Sequence, residues 1–138
     1  MFSYKRHNNP LSKIFQKALM RLIRYLLGKI ILWNEQRTAP TPLTRATEAQ
    51  ETLNQITSKW LLYEFNACPY CVKVRQEIRR LNLEIQRVDA KRDAEHKKIL
   101  IEAGGHYQVP CLSYPTPSGI IWLYESDAII AFLRKQTA

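Results

Sequence analysis

The first third of the chain has almost no acidic residues. Residues 1–50 hold two Glu and no Asp against nine Lys and Arg, whereas residues 51–138 hold ten Asp and Glu against twelve. Most of the net charge of +9 therefore sits near the N-terminus, and an anionic partner is expected there. Cysteine is also scarce: Cys68, Cys71 and Cys111 are the only three in 138 residues. So small and odd a number argues against a disulfide-stapled scaffold and for a reducing, cytosolic compartment. Long apolar runs are missing too. The stretch Met20–Trp33 is interrupted by Arg21, Arg24 and Lys29. It lacks both the unbroken run of about seven apolar residues of a secretion signal and the roughly 20 residues needed to cross a bilayer. There is no internal repeat and no low-complexity tract. The chain is 46% apolar, enough for one domain plus an appendage.

The appendage is residues 1–33. Residues 1–10 are polar, end in Pro10 and read as loose. Residues 11–33 repeat with helical period: Leu11, Ile14, Phe15, Ala18, Leu19, Leu22, Ile23, Leu26, Leu27 and Ile30 share one broad face. Lys13, Lys17, Arg21 and Arg24 cluster opposite, while Lys29 points to the apolar side, where its stem can bend outward. Gly28 costs this helix about 1 kcal/mol relative to Ala. A basic amphipathic helix suits an anionic membrane surface. Packing on the domain or on a second copy is the competing reading, and the arginine-bearing, acid-poor start also fits a transit peptide. Nucleic acid is not expected, because no aromatic stripe accompanies the charge. Residues 34–58 read as a linker around Pro40 and Pro42, with a short helical turn or two within Glu48–Thr57.

Residues 59–136 read as the folded domain. Trp60–Phe65 is an apolar run of strand length. A helix follows from Pro69, a residue suited to a first turn, to about Leu81, with Asn82 as its stop. Glu84–Val88 is a second strand, and Arg92–Ala103 a helix closed by Gly104–Gly105. Pro110–Ser113 begins a third strand, Pro115–Gly119 a turn, and Ile120–Leu123 a fourth strand. Ser126 opens a last helix. The order β-α-β-α-β-β-α predicts an α/β fold: a four-stranded mixed sheet, its first pair parallel and its last antiparallel, flanked by three helices.

The chemistry centres on Cys68-Pro69-Tyr70-Cys71, placed between a strand and a helix. Cys68 stands just ahead of the first helical turn, where unpaired amides and the helix dipole favour a thiolate. Cys71 lies one turn inward and more buried. Cys68 is therefore the expected nucleophile and Cys71 the resolving thiol in disulfide exchange. A second small thiol can instead attack the mixed disulfide and leave Cys71 unused. Lys73 and Arg75 add positive charge that would help hold an anionic thiol. Zinc and a purely structural pair are the competing readings, but the further candidate ligands Cys111, His96 and His106 are irregularly spaced, and no metal is expected. Cys111 reads as a small core residue.

Val109–Pro110 heads the third strand, and if cis it would leave the Val109 backbone free to pair with an extended ligand. Ser126 reads as an N-cap with Asp127 in the first turn. The same pair offers a helix N-terminus for a carboxylate and a carboxylate for an ammonium, which would fit the amino-acid end of a peptide.

Cys68-Pro69-Tyr70-Cys71, Val109-Pro110 and Tyr124–Ile129 together make residues Trp60–Lys135 resemble the glutaredoxin family and the related N-terminal domain of glutathione S-transferases, both of thioredoxin fold. The resemblance implies glutathione as cofactor. By it, Cys68 forms the mixed disulfide, Val109 beside Pro110 pairs with the backbone of glutathione's cysteine, Ser126 and Asp127 hold its γ-glutamyl end, and Tyr70 and Gln108 border the groove. Two features depart from the pattern. Phe65 stands where glutaredoxins commonly carry lysine, and the helical second domain of a transferase does not follow. The expectation is thus a glutathione-dependent oxidoreductase that reduces protein disulfides or glutathione mixed disulfides. A membrane-associated glutathione-binding adaptor with little turnover and an iron–sulfur carrier are the alternatives. The expected location is cytoplasmic, peripheral on the inner face of a membrane.

Overall fold

The computed structural model describes residues 9–138, so the loose start expected at residues 1–10 falls, as far as Asn8, outside the described residues. Helix α1 spans Pro10–Arg37. The Asn9 side chain caps it, accepting the Leu11 N–H at 3.2 Å, and Pro10 takes the first helical position. The helix passes Trp33 and continues to Arg37, because Asn34–Arg37 contain no breaker. It stops at Thr38, whose hydroxyl donates to the Asn34 carbonyl at 2.7 Å, with Pro40 just beyond. Helix α2 spans Thr47–Thr57, a full 11 residues. It outgrows the expected turn or two because it has a core to pack on: Leu53 lies against it and Thr57 is fully buried.

The remaining elements are β1 (Leu61–Glu64), α3 (Pro69–Arg80), β2 (Gln86–Asp89), α4 (Ala94–Glu102), β3 (Cys111–Thr116), β4 (Gly119–Tyr124) and α5 (Ser126–Gln136). The sheet order is β2-β1-β3-β4, with β1 parallel to β2 and both other pairings antiparallel. This is the expected four-stranded mixed sheet. Alternation along the paired strands buries both faces. Leu62 and Leu112, paired across β1 and β3, join Val74 and Ile78 of α3 and Ile129 and Leu133 of α5 in one core. Tyr63 and Cys111, also paired, join Val88, Ala90 and Leu100 of α4 in the other.

Helix ends follow local chemistry. Asn82 takes φ 54° just past α3, and Gly105 takes φ 88° past α4. Gly104 is needed for another reason: an added Cβ would lie 2.5 Å from the Leu100 carbonyl oxygen. Two expectations are corrected. Pro115 is not in the turn but in β3, opposite Ile120, where pairing with β1 has already ended at Ser113 and no donor is required on that side. The turn is Pro117–Ser118, and Gly119 takes φ 121°. Ser126 is not the N-cap of α5: Glu125 is, at φ 71° and with no side-chain cap bond, so Ser126 is the first helical residue.

Glu77 ties α3 to α5. The hydrogen bond from Arg80, against the opposing effect of burial and with further help from Arg134, holds its carboxyl at about 2, below the ordinary 4.5. A carboxylate lowered in the folded state stabilises fully above its unfolded pKa and loses that contribution as pH falls through the folded one. The stability gap between wild type and Glu77→Gln, measured by urea denaturation, is therefore expected to be complete above about pH 5 and to close toward about pH 2. A gap independent of pH would show that the ion pairs contribute nothing.

Candidate functional site

The registers bring the expected site residues to one end of the sheet. Tyr63 pairs with Cys111, and Cys111 with Tyr124. The chain leaving β1 toward Cys68, the chain entering β3 through Gln108–Pro110, and the chain leaving β4 into Ser126–Asp127 therefore share that end. The Val109–Pro110 bond is cis, Val109 is half-buried and Pro110 is buried. Gln108 is exposed beside them, and Ser126 is buried.

Cys68 is the N-cap of α3 at φ −83°, ψ 123°, and is half-buried. Its carbonyl accepts the Val72 N–H at 2.9 Å, which leaves the earlier amides of Tyr70 and Cys71 without a partner inside the helix. Pro69 occupies the first helical position and needs no acceptor. Tyr70, next in the helix, is exposed. Cys71 is fully buried. Burial pushes its thiol up to about 12; a backbone hydrogen bond at Phe65 opposes this and the Cys68 side chain reinforces it. Cys111 is also fully buried and is pushed up to about 11 by burial, against a hydrogen bond with Tyr124. It is a core residue of β3, and all three cysteines are free thiols.

The cations beside the motif behave differently from each other. Lys73 forms an ion pair with Asp127, joining α3 to the start of α5 at the surface. Arg75 is turned into the protein. Its side chain is 4% exposed and bonds Glu64 at 2.9 Å, Glu35 at 2.7 and 2.8 Å, and the Asn66 carbonyl at 2.8 Å. Burial works against its charge, but hydrogen bonds and charges of Glu35 and Glu64 outweigh that and raise its pKa. Glu64 also takes Arg87 at 2.6 Å. Sequence reasoning missed this network. Its one signal was Glu35, the single acidic residue before Glu48.

Phe65 packs its ring on Tyr107 with centroids 5.8 Å apart, so an aromatic pair stands at the position of the expected lysine. Helix α1 runs past the same loop: a Cβ added at Gly28 would touch the Ala67 Cβ at 3.4 Å. Between α1 and the loop lies a groove of about 550 Å³ that reaches Cys68 and is lined by Arg24, Lys29, Lys91 and Arg92. These residues come from separate segments, and the sequence reading did not join them.

A parallel βαβ unit closed by an antiparallel hairpin and a last helix, with two cysteines at the head of α3 and a cis-proline at the same end of the sheet, defines a thioredoxin-fold domain. Residues 47–114, just under half of the chain, match the family model described as Glutaredoxin, which supports a glutaredoxin-type domain over that stretch. It is also similar to the crystal structure of oxidized glutaredoxin 2 from Chlamydomonas reinhardtii, at 21% identity and a TM-score of 0.43, over 65% of this chain and 82% of that one. No curated protein matches the chain.

Proposed function

We propose that the chain is a glutathione-dependent thiol–disulfide oxidoreductase acting on protein disulfides and glutathione mixed disulfides. The observation that carries this reading is the stacking of roles at one helix start: a half-buried Cys68 at the cap, and a fully buried Cys71 beneath it. The Cys68 thiolate attacks the glutathione sulfur of a protein–glutathione disulfide. The S–S bond breaks, the protein thiolate leaves and takes up a proton, and Cys68 is left bound to glutathione. A second glutathione thiolate then attacks the bound glutathione's sulfur, which releases oxidised glutathione and regenerates the Cys68 thiolate. On protein disulfides Cys71 closes onto Cys68, and two glutathione molecules supply the electrons that reopen the pair. Burial raises the Cys71 thiol and withholds it from substrate, which favours the route that bypasses it for small mixed disulfides.

In this reading Val109 pairs with the backbone of glutathione's cysteine, Ser126 and Asp127 take its γ-glutamyl end, and Tyr70 and Gln108 border it. Asp127 already holds Lys73, so the ammonium of the ligand joins or displaces that pair. The test is reduction of a glutathionylated peptide by glutathione. Turnover is expected; no turnover and no adduct with oxidised glutathione would overturn the assignment.

The partner proposed for α1 is an anionic membrane surface, on the cytoplasmic side. No helix among the described residues is long and apolar enough to cross a membrane. The helix does carry an unpartnered apolar face: Leu19, Leu26 and Ile30 are 44–57% exposed, and Leu22, Ile23 and Leu27 lie with them. Its domain-side contacts come through Gly28 and Glu35, so that face points away from the domain. Full-length protein is expected to sediment with phosphatidylserine vesicles. Replacing Leu19, Leu26 and Ile30 together by Ser should weaken this by roughly tenfold or more. Equal sedimentation of the two forms would rule the surface out.

A further inference from the structure

The groove between α1 and the active-site loop is more than a gap left by packing. Its position follows from the sheet. Glu64 of β1 pairs with Asp89 of β2, so Asp89–Arg92 leave the sheet at the same end as the cysteine loop. They leave on the β2 flank, whereas Val109–Pro110 and Ser126 stand on the β3 flank. Cys68 therefore has a surface on each side, and the proposed glutathione contacts use only one of them.

The second surface is cationic. Arg24 and Lys29 come from α1, and Lys91 and Arg92 from the turn after β2. The one acid lining it, Asp89, is engaged: it accepts the backbone N–H groups of Lys91 and Arg92 at 2.9 and 3.1 Å and faces the Arg92 guanidinium at 3.8 Å. Among the described residues, Arg24, Lys29 and Lys91 are in no ion pair. Three unpaired cations converge on a groove that ends at a nucleophilic sulfur.

This wall does not form by chance contact. The two hydrogen bonds between Glu35 and Arg75 fix the end of α1, and Gln76 donates to the Thr38 hydroxyl at 2.9 Å. Gly28 removes the side chain where the helix meets Ala67. The absence of a cation at Phe65 leaves the loop itself uncharged there, so the positive charge at this flank is supplied by α1 and by the β2 turn.

We propose that this groove binds a carboxylate of the thiol partner that exchanges with Cys68, and that Arg24 and Lys29 make α1 part of the substrate site. The proposal rests on the oxidoreductase reading and adds to it a substrate class: disulfides whose reacting sulfur has a carboxylate close by. That carboxylate has two sources, the glycyl end of glutathione or an acidic side chain next to a substrate protein's cysteine. Opposite charges attract across a partly open groove, so the preference falls with salt.

The full-length wild type is compared with Arg24→Gln/Lys29→Gln on two glutathionylated peptides that differ only in Asp or Asn beside the cysteine. Each is prepared as the mixed disulfide of glutathione and of glutathione amidated at its glycyl carboxylate, and is reduced with the same form of the thiol that it carries. Wild type is expected to show higher kcat/KM whenever the relevant carboxylate is present. The double variant should lose about tenfold of that preference, as two partly exposed pairs allow. The peptide arm identifies an acidic protein substrate, and the amide arm identifies glutathione's own glycyl end. Lys13→Gln/Lys17→Gln removes equal charge from α1 outside the groove and should leave both ratios alone. Ratios unchanged in Arg24→Gln/Lys29→Gln, or shifted equally by both double variants, overturn the site. If the wild type turns over none of these substrates, the oxidoreductase reading fails separately. Binding of the S-methylated Asp and Asn peptides and of S-methylglutathione then decides the groove. Weaker binding of a carboxylate-bearing probe to the Arg24→Gln/Lys29→Gln variant supports it, and equal binding overturns it.

Discussion

Cys68→Ser is expected to abolish glutathione-dependent reduction of a mixed disulfide, while Cys71→Ser keeps activity within about tenfold of wild type. The two cysteines are three positions apart, yet the fold gives them opposite surroundings. Cys68 caps α3 and is reachable by a substrate sulfur; Cys71 is fully buried, with its thiol at about 12. An alcohol at Cys68 cannot form the mixed disulfide, so the loss should be about a thousandfold or more. At Cys71 an alcohol removes only the intramolecular exit, which small substrates do not need. The measurement is kcat/KM in a glutathione-coupled assay, with mass spectrometry of Cys71→Ser after oxidised glutathione to locate the adduct. Retained turnover in Cys68→Ser would sink the assignment of roles, as would an adduct on any other sulfur. A collapse of activity in Cys71→Ser would show that the dithiol route is the operative one.

The largest effect on stability is expected at Arg75. Arg75→Met should cost about 3 kcal/mol in urea denaturation, because it removes the guanidinium shared by two carboxylates and leaves Glu64 and Glu35 with a single remaining cation, Arg87, between them. Glu64 is 5% exposed and would retain only Arg87. The Phe65 and Asn66 carbonyls would lose a shared donor, and Glu35 of α1 both of its hydrogen bonds. Arg75→Lys should recover little of this, since one ammonium cannot reproduce the forked geometry that reaches two carboxylates and two loop carbonyls at once. Proteolysis at the α1–α2 connection should accelerate in both variants. A loss under about 1 kcal/mol in Arg75→Met would mean the network is ornamental.

Local signals carried most of the fold into view. Pro69 and Asn82 bracket α3 because one residue lacks a donor and the other tolerates a left-handed backbone, and both properties are written in the residue type. Pro115 misled for the same reason: a proline reads as a breaker, and only the early end of the β1–β3 pairing makes it acceptable inside β3. Ser126 read as a cap by its chemistry, but the turn out of β4 puts Glu125 there. Of the site, the cysteine pair and Val109–Pro110 were legible because they are contiguous. Arg75 was not, since its partners Glu64 and Glu35 lie 11 and 40 residues away. The groove was invisible for the same reason, being assembled from α1, the cysteine loop and the turn after β2.

One guanidinium joins α1, β1 and the carbonyls that precede the nucleophile. The N-terminal rod is thus geared to the reactive thiol: a load that tilts the rod, whether from lipid or from a docking protein, must either drag the Phe65–Ala67 segment with it or break Glu35 from Arg75.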